Sequence, residues 1–119
     1  DYETQETQPL ILAKIPVKNP WEVFAYLPFG GWNDCPDTIA LMAVSKYWHE
    51  QHGAVPAVLT YDTLEYSVPA PIAAENAREL ATEQYAFCAD IIEQGAPSMT
   101  VGKLAADLKN SNIWYFWWD

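Results

Sequence analysis

The chain has 119 residues, of which 50% are hydrophobic, 16 are acidic and six are basic, and its formal net charge is −10. This length and apolar content are typical of one domain whose core needs neither disulfides nor metals. The negative charge would repel phosphates, so nucleic acid and anionic membrane surfaces are excluded as favoured partners. An acidic surface instead keeps a protein soluble or attracts a basic protein partner. The sequence does not indicate a cofactor.

The cellular location is predicted from two sequence patterns that this chain lacks. No apolar run approaches the length of a membrane span, and no signal-peptide pattern is present, which favours the cytoplasm. The sequence begins with Asp1 rather than methionine, which leaves open the earlier removal of an N-terminal segment or domain. Cys35 and Cys88 lack the close spacing of zinc sites, so two free thiols are expected, with a single disulfide left open.

The N-terminal part of the chain predicts extended structure. Residues 1–9 are polar and are expected to form a flexible arm or linker end before a single α+β domain over residues 10–119. Residues 10–17 include a proline and are expected to be an edge strand or an extended lead-in. Residues 21–27 are rich in aromatic and β-branched side chains, which predicts a strand that ends in a glycine turn.

The middle of the chain predicts a helix and a hairpin. A capping side chain, a proline and an acid around residues 33–37 indicate a helix start, and the helix is expected over residues 36–51, with Gly53 as its stop. Two short apolar runs, residues 55–61 and 64–68, flank Asp62 and Thr63 and predict two strands joined by a tight turn.

The C-terminal part predicts two more helices and a strand. Residues 73–93 have a helical apolar stripe, and Ser98 or Thr100 is expected to cap a third helix that ends near Leu108. The aromatic run at residues 112–118 predicts a strand buried on both faces at the centre of the sheet. The predicted fold is a two-layer α+β domain in the order β-β-α-β-β-α-α-β, with a small mixed sheet covered on one face by about three helices.

Carboxylates near turns are the first candidates for chemistry. Asp62 and Glu65 bracket the predicted hairpin turn, and Asp34, Asp37 and Asp119 lie near other element ends. Paired carboxylates perform acid and base catalysis or hold hard cations. Acids at turns and helix starts also make local hydrogen bonds, which is the more common role.

Other candidates carry weaker signals. His49 and His52 are one helical turn apart but sit at a predicted helix end, where they complement the helix dipole, so no metal site is predicted. Cys35 would need a histidine base to act as a nucleophile. The pair Gly30-Gly31 is too short for a phosphate-binding loop. Trp32 lies in a glycine turn and is the tryptophan most expected at a surface site.

The strings Pro28-Phe29-Gly30-Gly31-Trp32-Asn33-Asp34-Cys35-Pro36, Lys46-Tyr47-Trp48 and Trp114-Tyr115-Phe116-Trp117-Trp118-Asp119 resemble a bacterial family known only as a domain of unknown function, DUF4253. The resemblance extends from about Pro16 to Asp119. It implies the C-terminal domain of a longer bacterial protein and supplies no activity.

Three functions stay open at this point. The first is a non-enzymatic protein-binding module, for which a basic partner is expected. The second is an enzyme or metal-binding domain with a carboxylate-lined pocket near residues 30–37, although no catalytic residue is assigned. The third is a homodimerisation module. The candidate binding residues are Gly30, Gly31, Trp32, Asn33, Asp34, Cys35, Asp62, Glu65 and Asp119.

Overall fold

The structure is a computed structural model, and it describes residues 11–119. A 3-10 helix, Pro20–Ala25, precedes four α-helices and three β-strands. In chain order these are α1 (Thr38–His52), β1 (Val55–Leu59), β2 (Thr63–Ser67), α2 (Ala74–Phe87), α3 (Asp90–Glu93), α4 (Val101–Leu108) and β3 (Ile113–Trp117). The predicted α+β class is confirmed, and the predicted arm at residues 1–9 lies outside the described residues.

The three strands form one antiparallel sheet in the order β1-β2-β3. Leu64 pairs with Phe116 and Tyr66 with Trp114, so the inward side chains of β2 and β3 stand opposite one another. The prediction of a mixed sheet with the last strand at its centre is wrong for residues 11–119, where all pairings are antiparallel and β3 has a neighbouring strand on one side only. Tyr115 is 51% exposed, so this strand is buried on one face rather than on both.

The predicted strand at residues 21–27 is also wrong, because Pro20–Ala25 forms a 3-10 helix. Pro20 stands at its first position, where the fixed φ of proline suits a helix and no N–H is needed. The Glu22 carboxylate accepts a hydrogen bond from the Asn19 N–H at 2.7 Å, which holds the turn. Residues 11–17 contain no strand, so β1 and β2 are the first strands of the described chain.

The helix predicted over residues 36–51 is present as α1, shifted by one or two residues. The Asp37 carboxylate accepts from the Ala40 N–H at 2.9 Å and caps its start. Gly53, with φ of 72°, ends it in the left-handed conformation that favours glycine. The long helix predicted over residues 73–93 is divided at Cys88 into α2 and the single-turn α3.

The core is centred on Trp48 of α1, which is 1% exposed. Its indole stacks on Phe116 of β3 with ring centroids 5.5 Å apart, and it meets Phe87 of α2 edge-on at 5.0 Å. Its Nε1–H donates to the Glu83 carboxylate at 2.9 Å, so the polar atom of this side chain is satisfied. Trp48 therefore joins α1, α2 and the inner face of the sheet. Among residues 11–119, no helix combines the length and apolar character needed to cross a membrane.

Candidate functional site

The loop after the 3-10 helix is shaped by two glycines. Gly30 and Gly31 have φ of 88° and 80°, and the Gly31 N–H donates to the Pro36 carbonyl at 3.0 Å, which closes the loop on itself. A Cβ atom on Gly30 would lie 2.3 Å from that carbonyl oxygen and 2.7 Å from Leu41 Cδ1. The loop can adopt this path only with glycine at position 30, and the path brings Trp32 and Asn33 toward the end of the chain.

Asn33 joins this loop to residues that follow β3. Its side-chain Nδ2 donates to the backbone oxygen of Asp119 at 2.7 Å, and its φ of 44° is the only positive value outside glycine in residues 11–119. The Asp119 N–H in turn donates to the Asp90 carboxylate at 2.8 Å. These two bonds connect three segments that are far apart in the sequence.

Two surface depressions adjoin this junction and share Asp119 in their linings. We call the first, of about 370 Å³, the aromatic depression. The second, of about 410 Å³, is the polar depression. The aromatic depression is lined by Trp32, Tyr61, Asp62, Trp117, Trp118 and Asp119. The polar depression is lined by Asn33, Asp34, Asp90, Gln94 and Asp119.

The electrostatics of both depressions are acidic. Together their linings carry four carboxylates, those of Asp34, Asp62, Asp90 and Asp119, and no lysine, arginine or histidine. The ion pairs found in residues 11–119, Lys46–Glu50 and Lys103–Asp107, do not involve these carboxylates. The carboxylates are therefore not neutralised within the described part of the chain.

The aromatic depression offers ring surface. Tyr61 is 89% exposed, and Trp32 is half-buried against Trp118 with ring centroids 6.4 Å apart. Trp118 is 1% exposed, and its Nε1–H has no hydrogen-bond partner among residues 11–119. This nitrogen is buried and has almost no accessible surface, so a ligand in the depression would contact the rings rather than this donor.

Cys35 is placed beneath the loop rather than at its surface. It is 5% exposed and unpaired, and burial raises the pKa of its thiol to about 12. The pKa of Cys88 is likewise raised to about 12 by burial, and its thiol donates to the Trp117 carbonyl at 3.0 Å. Both cysteines are free in the structure. At neutral pH neither thiol is ionised, which opposes the use of Cys35 as a nucleophile.

The structure brings most of the candidate residues together. Trp32, Asn33, Asp34, Asp62 and Asp119 line the two depressions, while Gly30, Gly31 and Cys35 form the loop beneath them. Glu65 is the exception. It pairs with Tyr115 in the sheet, one position from the inward-facing Leu64 and Tyr66, and therefore faces the opposite side.

Five lining residues were not predicted, namely Tyr61, Trp117, Trp118, Asp90 and Gln94. The helix predicted over residues 73–93 would place Asp90 in its last turn. The helix instead stops at Cys88, and Asp90 begins α3. The local sequence Phe87-Cys88-Ala89-Asp90 contains no glycine or proline that would have marked this stop.

The two histidines and the other possible metal ligands do not form a site in the described residues. His49 Nδ1 lies 3.0 Å from the Ala54 carbonyl, and His52 packs edge-on against Trp114 with ring centroids 5.7 Å apart. Both side chains thus take part in the end of α1 and its packing. Within residues 11–119, no three His, Cys, Asp or Glu side chains are arranged to hold a metal ion.

The family model described as "Domain of unknown function (DUF4253)" matches residues 11–119. No curated protein and no solved structure gives a significant match. The matched range includes both the glycine loop and the aromatic strand whose junction forms the two depressions. The chain therefore belongs to the DUF4253 family of domains of unknown function.

Proposed function

We propose that the protein is a non-enzymatic binding module that holds a basic, arginine- or lysine-containing segment of a protein partner. The observation that carries the proposal is the junction between Asn33 and Asp119. It sets un-neutralised carboxylates beside accessible aromatic rings on one surface.

The charges favour a cationic group. Asp62 and Asp119 line the same depression as Trp32 and Tyr61, so a guanidinium or ammonium group there would meet carboxylates and ring faces together. The net charge of −10 would also steer a basic partner toward the protein.

The extent of the surface favours a peptide rather than a bare amine. The carboxylates require hydrogen-bond donors, which basic side chains and backbone N–H groups both supply. The polar depression shares Asp119 and adds Asp34 and Gln94, so that the surface can contact a segment of several residues.

The proposal is tested by calorimetric titration with a capped peptide, Gly-Arg-Gly-Arg-Gly, and with the same peptide carrying neutral citrulline. The arginine peptide should bind more tightly, and more so at low salt. The double variant Asp62→Asn, Asp119→Asn should weaken its affinity by roughly three- to tenfold, since exposed charge pairs are each worth about 0.2–1 kcal/mol.

Asp107→Asn is the matched control. It removes the same kind of charge from α4, where Asp107 pairs with Lys103, and should leave the affinity nearly unchanged. Equal binding of the arginine and citrulline peptides, or equal losses in the Asp107 control and the double variant, would contradict the proposal. A divalent cation that raises the melting temperature only when Asp34 and Asp119 are intact would favour the metal-binding or enzymatic alternative.

A further inference from the structure

A groove of about 440 Å³ between α1 and α2 adjoins the polar depression, with which it shares Asp34. We call it the helix groove. Its lining within residues 11–119 combines apolar side chains with two carboxylates and contains no lysine, arginine or histidine. Among the lining residues are Asp34, Pro36, Val44, Tyr47, Glu83 and Ala86.

The apolar part of the helix groove is accessible to a ligand. Ala86 is exposed on α2, Tyr47 is 46% exposed on α1, and Val44 is partly exposed. Beneath them Trp48 is buried in the core, which fixes the floor of the groove. An apolar side chain placed here would be removed from water, and such burial is favourable.

Glu83 makes the helix groove acidic. Its carboxylate accepts from Trp48 Nε1 at 2.9 Å and from the Tyr47 hydroxyl at 3.3 Å, and neither donor carries a positive charge. The charge of Glu83 raises the pKa of Tyr47. The ion pairs found in residues 11–119 involve neither Glu83 nor Asp34, so the negative potential is not neutralised within that range.

Charge also decides between possible occupants of the helix groove. Residues 1–10 of the chain include Asp1, Glu3 and Glu6 and no basic residue, and a second copy would bring a further net charge of −10. Both would be repelled by the carboxylates of the groove. A segment of a basic partner would be attracted instead.

We propose that the helix groove receives a bulky apolar side chain, such as leucine, from the same basic segment that the two depressions hold. This inference rests on the proposed function, because Asp34 is a wall of both the polar depression and the groove. An extended segment advances about 3.3 Å per residue, so an apolar residue close in sequence to a basic residue at Asp34 reaches the groove. The partner is thereby narrowed to a basic segment that carries an apolar residue beside its basic residues.

The test measures the affinities of capped peptides for the whole chain by calorimetric titration. Gly-Arg-Gly-Arg-Gly is the reference, and leucine is added at either end in Gly-Leu-Gly-Arg-Gly-Arg-Gly and Gly-Arg-Gly-Arg-Gly-Leu-Gly. Peptides with asparagine in place of leucine are polar counterparts of similar size. At least one leucine peptide should bind roughly three- to tenfold more tightly than its asparagine counterpart, the gain expected from partial burial of a leucine side chain.

A pair of variants locates the leucine. Ala86→Gln fills the groove from α2 with a longer neutral side chain, so it should remove the preference for leucine and leave the affinity of the reference peptide unchanged. Ala106→Gln is the matched control. Ala106 is exposed on α4 and does not line the helix groove, so this variant should keep the native preference.

Failure of this inference and failure of the proposed function give different results. If the reference peptide binds no more tightly than its citrulline form, the proposed function fails and this inference with it. If the reference peptide binds as proposed but leucine and asparagine peptides bind equally, this inference alone is overturned. A leucine preference that persists in Ala86→Gln would overturn it by locating the leucine elsewhere. A dimer that light scattering detects and that Ala86→Gln dissociates would overturn it by assigning the groove to a second copy.

Discussion

Asn33 Nδ2 and the backbone oxygen of Asp119, 86 residues apart in the sequence, form a hydrogen bond of 2.7 Å. This bond holds the glycine loop against the residues that follow β3, and Asp90 secures the same segment from α3. The two depressions exist because these segments meet. The bond is therefore both a stabilising contact and a condition for the proposed binding surface.

We expect Asn33→Gly to lower the free energy of unfolding by about 1 kcal/mol, the usual worth of one hydrogen bond. Glycine tolerates the φ of 44° at this position, so the variant removes the bond without adding strain. Asn33→Ala should cost more, since alanine keeps a Cβ at positive φ but lacks the short polar side chain that makes asparagine tolerant of this conformation. Urea unfolding followed by circular dichroism measures both. Two variants as stable as the native chain would show that the bond contributes nothing.

The two loop glycines make a matched pair for a second prediction. Gly31→Ala meets no atom within 4 Å and should cost only the positive-φ penalty of about 1–2 kcal/mol. Gly30→Ala carries a similar penalty and also collides with the Pro36 carbonyl and Leu41, so it should lower the melting temperature clearly further. Thermal unfolding of both variants measures the difference. Equal melting temperatures would contradict the described path of the loop.

Much of the secondary structure could be predicted because local signals agree with the tertiary structure. Asp37 and Gly53 mark the two ends of α1, and Thr100 marks the start of α4. The sequence also contains a local signal for the 3-10 helix, which the prediction of a strand over residues 21–27 did not use. Pro20 at the first position and Glu22 at the third are typical of a helix start, but the aromatic content that follows favoured a strand.

The remaining differences arise from tertiary contacts that no local pattern encodes. The aromatic run of β3 does not reveal which strands flank it, and side chains such as Tyr115 are exposed even though they are aromatic. At the site, Trp32, Asn33 and Asp119 were predicted from distinctive strings, whereas Asp90 joins them only through the break after α2. Periodicity predicts which face of an element is buried but not which distant side chain meets it.

Trp48 should be among the most sensitive positions for stability. Trp48→Ala removes a fully buried ring that contacts Phe87 and Phe116, and should cost about 3–5 kcal/mol. Tyr26→Ala, at a residue 59% exposed, should change the free energy of unfolding by less than about 0.5 kcal/mol. Chemical denaturation measures both changes. Similar losses of unfolding free energy at the two positions would contradict the central place of Trp48 in the core.

The buried thiols predict a loss of stability in alkali. Cys35 and Cys88 have folded pKa values near 12, raised by burial from 9.0, so unfolding releases protons from both between those values. Stability is then full below pH 9 and falls as the pH rises toward 12. Burial also raises the pKa of Tyr66, which adds to the loss above pH 10.

Cys35→Ala isolates one of these groups. Its unfolding free energy should fall with pH less steeply than that of the native chain, by up to about 1.4 kcal/mol per pH unit in this range. Urea midpoints measured between pH 8 and 11 provide the comparison. Parallel curves for the native chain and the variant would show that burial does not raise the pKa of the Cys35 thiol.

The most direct test of the proposed binding surface uses the indole N–H resonances of the six tryptophans during titration with the Gly-Arg-Gly-Arg-Gly peptide. Trp32 and Trp118 line the aromatic depression, whereas Trp48 is buried in the core and Trp21 already lies beneath the Lys46 ammonium, 5.9 Å from the ring centroid. We predict saturable shifts for Trp32 and Trp118, with Trp48 and Trp21 unchanged. Shifts at Trp21 alone, or binding that leaves Trp32 and Trp118 unmoved, would contradict the proposal that this surface holds a basic partner.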